Sequence, residues 1–183
     1  VVRRRHHAWA TAEVDALGEY GFKLGIAFQL VDDLLDLTGT VQSLGKPVAS
    51  DLREGKITLP VIALMNRAEP SVRTLIADVV QTRSLTPDRW EEISTLLTTH
   101  RTIDYAYSRA VQLAAEARVH LQVFPPSEER DALAALSLVG GLLLCWWTTR
   151  AFSALTADGD GRLGRPPLSR RAVLATLLAA TTP

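Results

Sequence analysis

The sequence predicts an all-α protein, an antiparallel helical bundle with short connections, and three observations predict it. Apolar residues recur at three-to-four spacing along most of the chain, as in TPDRWEEISTLLTTH. Ser, Thr and Pro stand at the starts of these periodic runs, and Gly or paired Pro at their ends. No stretch reads convincingly as a strand.

From Thr11 to Leu37 the chain is rich in Ala and Leu and free of proline, with Gly18, Gly21 and Gly25 as the only weak points. It reads as one or two helices, the second running from about Phe22 to Leu37. Thr38-Gly39-Thr40 supplies a stop, and Gly45-Lys46-Pro47 marks a loop turning over the helix end. Ser50-Asp51 caps a short segment before GKITLPVIALMNRA, in which Pro60 sits near a helix start, where its missing N–H is harmless. PSVRTLIADVV and TPDRWEEISTLLTTH each begin with a turn or cap signal, Pro70 in the first case and Thr86-Pro87 in the second. TIDYAYSRAVQLAAEARVHLQVF is a long amphipathic helix stopped by Pro125-Pro126, and Ser127 caps the next run, SEERDALAAL. No repeat of fixed period is present.

A length of 183 residues is enough for one domain with an appendage. The formal net charge is zero, so nothing global argues for nucleic acid or an anionic membrane surface, and any electrostatic function is local. Cys145 is the only cysteine, which excludes an internal disulfide and a cysteine-rich metal site and fits a reducing compartment. The first residues, VVRRRHHAWA, lack the apolar core of a signal peptide. DGDG at 158–161 does not align with a calcium loop, and the four histidines have no zinc spacing.

The stretch GIAFQLVDDLLDLTG places three aspartates within a run that otherwise reads as core. At about 100° per residue, with Gln29 as zero, Asp33 falls near 40°, Asp36 near 340° and Asp32 near 300°. The four polar groups share one arc, apolar residues fill the rest, and the reading is a central helix with one wet stripe. A merely solvent-facing side predicts Lys or Arg at i+4, and none is interleaved. Several carboxylates on one stripe suit a hard divalent cation with oxygen ligands, Mg²⁺ with a diphosphate being the natural pair. Lys46, Arg53 and Lys56 follow with the complementary sign.

These residues resemble a trans-type isoprenyl diphosphate synthase of the polyprenyl synthetase family. The resemblance rests on Phe28-Gln29, Asp32-Asp33-x-x-Asp36, Gly45-Lys46, Asp51-Leu52, and Gly55-Lys56 with Thr58-Leu59-Pro60, and more loosely on the helices to about Leu138. The aspartate motif matched is the family's second, and LTPDRWEEISTLL with the helix after it resembles the medium- to long-chain members. The resemblance implies an isoprenoid synthase-type helical bundle that condenses an allylic diphosphate with isopentenyl diphosphate to give a polyprenyl diphosphate, using Mg²⁺. It implies Asp32 as the most direct metal ligand, with Asp33 and Asp36 coordinating or holding it and its waters. Gln29 beside Phe28 would face the substrate, and Lys46 and Lys56 would contact the allylic diphosphate, so that Asp32, Lys46 and Lys56 form the catalytic set. It further implies a cytoplasmic homodimer, or a heteromer with a related subunit.

The family's first aspartate-rich motif, the arginine pair after it and an intervening Lys-Thr pair do not appear in this chain. Residues 1–138 are therefore expected to form the C-terminal part of a synthase domain, with the bundle incomplete on its N-terminal side. Two functional expectations follow: a prenyltransferase whose missing half is supplied elsewhere, or a non-catalytic subunit or degenerate fragment inactive alone. Residues 139–183 read as a divergent apolar helix, a Gly- and Pro-rich linker and a short tail helix. The uncharged run from Ala132 to Thr149 approaches the length of a membrane span, but Gly, Ser and Thr dilute it and a packed helix is the expectation, so membrane contact is not favoured.

Overall fold

The computed structural model describes residues 11–39 and 47–137. Lys46, the outer part of the uncharged run and the whole 139–183 region lie outside the described residues.

Among the described residues the chain is helical, with no strand. Helix α1 spans Thr11–Thr38, α2 Ser50–Arg53, α3 Leu59–Arg67, α4 Pro70–Thr82, α5 Pro87–Thr99 and α6 Thr102–His120. A 3-10 turn, Leu121–Val123, follows α6, and α7 covers 128–137. The glycines at 18, 21 and 25 do not divide the first element, which is a single helix of 28 residues.

The ends of the elements follow local chemistry. Thr38 donates its hydroxyl to the Leu34 carbonyl, and Gly39 N–H closes the last turn on Leu35 O. The α3, α4 and α5 helices each carry proline in the first turn, where no intrahelical N–H is needed. Thr86 caps α5 by accepting from Arg89 N–H, and Ser127 does the same for Arg130 N–H at the start of α7. Ser50 departs from expectation: it lies inside α2 rather than capping it, and the cap is Ala49 in the left-handed region at φ 57°. Its hydroxyl is engaged elsewhere.

The packing is built around the α1–α6 pair. Tyr20 and Leu24 near the start of α1 meet Ala117 at the end of α6 and Leu121 just beyond it. Leu34 near the end of α1 meets Ala106 and Tyr107 near the start of α6. The two helices are therefore antiparallel and joined along most of their length. Lys23 bridges to Glu116 at 3.2 Å across the same seam, and Tyr20 donates its hydroxyl to Leu133 O at 2.8 Å, tying α7 to α1. A second core lies among α2 to α5, where Leu52, Leu64, Ile76, Val79, Ile93 and Leu97 are fully buried, and Leu37 connects it to α1. Arg67 closes the outer side, donating to His100 O at 3.1 Å with its guanidinium over the Tyr105 ring.

The central-helix expectation holds for only part of the α1 circumference. Phe22 is 67% exposed and Phe28 49% exposed, with Val14, Leu17 and Ile26 also exposed. Side chains added at Gly18, Gly21 or Gly25 would meet nothing within 4 Å. One side of α1 is packed on the bundle, and the other is an open apolar strip that ends at the aspartates.

Candidate active site

The aspartates occupy the last turns of α1, where the strip meets the chain's return through α2. Asp32 is exposed, and among the described residues none forms an ion pair with it. Gln29 is also exposed, one turn before it, beside Phe28. Asp33 is far more enclosed, its side chain 13% exposed, and its Oδ1 accepts from Lys56 Nζ at 2.8 Å. The same ammonium reaches Asp51 Oδ2, also at 2.8 Å. These two carboxylates, Asp33 first, hold the Lys56 ammonium protonated well above the ordinary lysine range.

Asp36 has a different environment. It is 2% exposed and lies under the segment that returns from the loop. Ser50 donates its hydroxyl to Asp36 Oδ1 at 2.5 Å, and Asp51 N–H donates to Oδ2 at 3.0 Å. Its main-chain carbonyl accepts from Ala49 N–H at 2.8 Å. Three successive residues, 49 to 51, thus hang from one aspartate. This accounts for the left-handed Ala49: a non-glycine residue in that region costs on the order of 1–2 kcal/mol and persists where its surroundings fix it.

Lys56 is placed by the end of α2. Gly55 has φ +87°, a conformation that glycine adopts without penalty. Its N–H bonds to Leu52 O at 3.1 Å, while Lys56 N–H bonds to Asp51 O at 2.8 Å. This pair of bonds is the Schellman closure of a helix. It turns the chain back so that the Lys56 side chain rises beside Asp51 and points to α1. The glycine-lysine pair in the sequence is the covalent trace of this turn.

Sequence reasoning placed Asp32, Asp33 and Asp36 on one stripe, and the structure gives them three environments: open, paired with ammonium, and committed to the chain's own loop. Among the described residues no three His, Cys, Asp or Glu side chains converge as a metal-holding group. The donor set nonetheless fits Mg²⁺, which is commonly held by one or two carboxylates and otherwise keeps water and phosphate oxygens. Asp32 offers one carboxylate, without an ion-pair partner among the described residues, and Asp33 a second, shared with the Lys56 ammonium. Sequence reasoning did not assign a site role to Asp51; the signal was there in its five-residue spacing from Lys56 across a glycine.

Residues 6–97, half of the chain, match the model of the polyprenyl synthetase family. The chain is 38% identical over 126 residues to the octaprenyl diphosphate synthase of Haemophilus influenzae, covering 69% of this chain and 38% of that protein. Among solved structures, a decaprenyl diphosphate synthase from Rhodobacter capsulatus superposes with a TM-score of 0.67 at 32% identity, over 74% of this chain and 42% of the other. A geranylgeranyl pyrophosphate synthase from Corynebacterium glutamicum, complexed with isoprenyl diphosphate and magnesium, does so with a TM-score of 0.61 at 32% identity, over 72% and 38%. The chain spans about two fifths of the length of these proteins.

Proposed function

Because the chain belongs to the polyprenyl synthetase family, we propose that the end of α1 and the α2 turn form the second-motif half of a prenyltransferase site, which binds an allylic diphosphate through Mg²⁺ during condensation with isopentenyl diphosphate. One observation carries the reading: an open carboxylate and a paired ammonium stand together where an exposed apolar helix strip ends. That arrangement matches the two chemistries of an allylic diphosphate, an anionic head and a hydrocarbon tail.

In this reading Asp32 and Asp33 are the carboxylates that hold the cation, and Asp36 supports them by fixing the segment that covers it. Magnesium, when bound, neutralises the diphosphate and favours its departure. The Lys56 ammonium adds a fixed positive charge on the leaving group, where charge develops. Lys46, outside the described residues, is proposed to join it. Gln29 and Phe28 lie one turn back and border the reacting carbon, and the apolar strip keeps water from the allylic cation. The product is proposed to be a medium- or long-chain polyprenyl diphosphate, made in the cytoplasm by a homodimer or by a heteromer with a related subunit.

The site is tested by titrating magnesium pyrophosphate into the chain in a calorimeter. Asp32→Ala should weaken binding by roughly tenfold or more with little change in melting temperature. Equal binding by the variant rejects the assignment. A second reading is a non-catalytic subunit, in which the Asp32 end of α1 takes no part in turnover. Incorporation of labelled isopentenyl diphosphate separates the two: product from this chain alone supports the enzyme, and product that never depends on Asp32, even with a complementing synthase chain, supports the subunit.

A further inference from the structure

Resting on the diphosphate reading above, we infer that Asp51 is a positioning residue: seated by Asp36, it holds the Lys56 ammonium at the level of Asp33, so that an arriving diphosphate meets the charge already in place. Lys56 needs such a holder. Its side chain is 51% exposed and has four carbons of free rotation, so a single contact would leave the ammonium scattered among rotamers. Two anchors are present, Asp33 and Asp51, each at 2.8 Å. They are not equivalent: Asp33 would be shared between Lys56 and the cation in the reading above, whereas Asp51 would serve Lys56 alone.

Asp51 is itself fixed at three points. Its N–H is held by Asp36 Oδ2, its carbonyl accepts from Lys56 N–H, and its carboxylate accepts from Lys56 Nζ. The last two contacts close a ring between residues 51 and 56 that needs the positive φ of Gly55. Asp36 thus acts on the site at one remove, through the backbone of Asp51, which gives a buried carboxylate within an acidic motif a function other than touching the cation.

The experiment uses the full chain and two readouts. The first needs no ligand: the ¹⁵N resonance of the Lys56 ammonium, which double pairing should protect from rapid exchange with water. Asp51→Asn, an isosteric change, should abolish that protection while leaving the backbone spectrum of α3 to α6 unaltered. The second is calorimetry with magnesium pyrophosphate. Asp51→Asn should weaken binding by about tenfold and Lys56→Met at least as much, whereas the double variant should be no weaker than Lys56→Met alone, because a residue that acts through another contributes nothing once the other is gone. Losses that add in the double variant, an unchanged pyrophosphate affinity in Asp51→Asn, or an ammonium resonance that survives in that variant would each overturn the proposal. Wild-type chain that fails to bind magnesium pyrophosphate overturns the diphosphate reading itself, and the ligand-free resonance still decides whether Asp51 holds Lys56.

Discussion

Leu64 and Ile93 on one side of the molecule and Phe22 and Phe28 on the other are residues of similar hydrophobicity, set in helices with similar periodicity. The first two are fully buried among α2 to α5, and the second two stand open on α1. The difference does not lie in the residues but in what the rest of the described chain brings against them. Short connections return α3, α4 and α5 onto one another, whereas α6 and α7 reach α1 from one side only. A core completes itself wherever consecutive helices close on each other. A strip that remains apolar and open, with carboxylates at its end, is consistent with a surface that serves an amphiphilic ligand.

The largest expected effect tests that contrast directly. Leu64→Ala should lower the free energy of unfolding by about 2–5 kcal/mol, since the cavity sits in a fully packed core. Phe28→Ala should change it by less than about 0.5 kcal/mol, the usual range for an exposed site. Urea titration of both variants gives the answer. Comparable losses would mean that the strip is covered in solution and that the two sides are not different after all.

Asp36 comes next, because it stands at the border between the two regions. Replacing it with alanine leaves the Ser50 hydroxyl and the Asp51 N–H without their acceptor, a cost of about 1–3 kcal/mol for each group that water cannot reach. The prediction is local. Amide exchange at residues 49 to 51 should accelerate strongly in Asp36→Ala, while the amides of α5 keep their wild-type protection relative to global unfolding. Uniform loss across both regions would make Asp36 an ordinary core residue and would remove its special link to the loop.

Much of this organisation was legible in the sequence. Pro60, Pro70 and Pro87 with Thr86 located three helix starts, and Ser127 located a fourth, because capping chemistry is local and needs no tertiary partner. The acidic stripe was visible for the same reason, since helical spacing alone places Asp32, Asp33 and Asp36 on one arc. Their division of labour was not visible. It depends on which carboxylate the returning loop happens to cover, a contact between residues 14 and 15 positions apart that no periodicity reports. Ser50 shows the same limit: its type fits a cap, but the Ala49 N–H bond to the Asp36 carbonyl and the Ser50 hydroxyl bond to the Asp36 carboxylate set the chain so that the helix starts one residue earlier, with Ala49 in the cap position. Nor could spacing tell that α1 is open on one face, because the pattern of Phe22, Ile26 and Phe28 is that of a helix buried all round.

The smallest effect concerns the packed side of α1 and gives the comparison a pH dependence. The Lys23 ammonium, 3.2 Å away, holds the Glu116 carboxyl below its ordinary value of 4.5, with Arg109 adding to the effect and partial burial opposing it. A carboxyl whose folded pKa is depressed stabilises the native state above the unfolded pKa, and the contribution fades as pH falls through the folded value. The difference in melting temperature between wild type and Glu116→Gln should therefore be flat from neutral pH down to about 5 and shrink below it, and added salt should reduce it because both side chains are partly exposed. A Glu116→Gln difference that persists undiminished at about pH 2 would mean that the seam between α1 and α6 is held by packing alone, with the ion pair contributing nothing to the joining of the two helices.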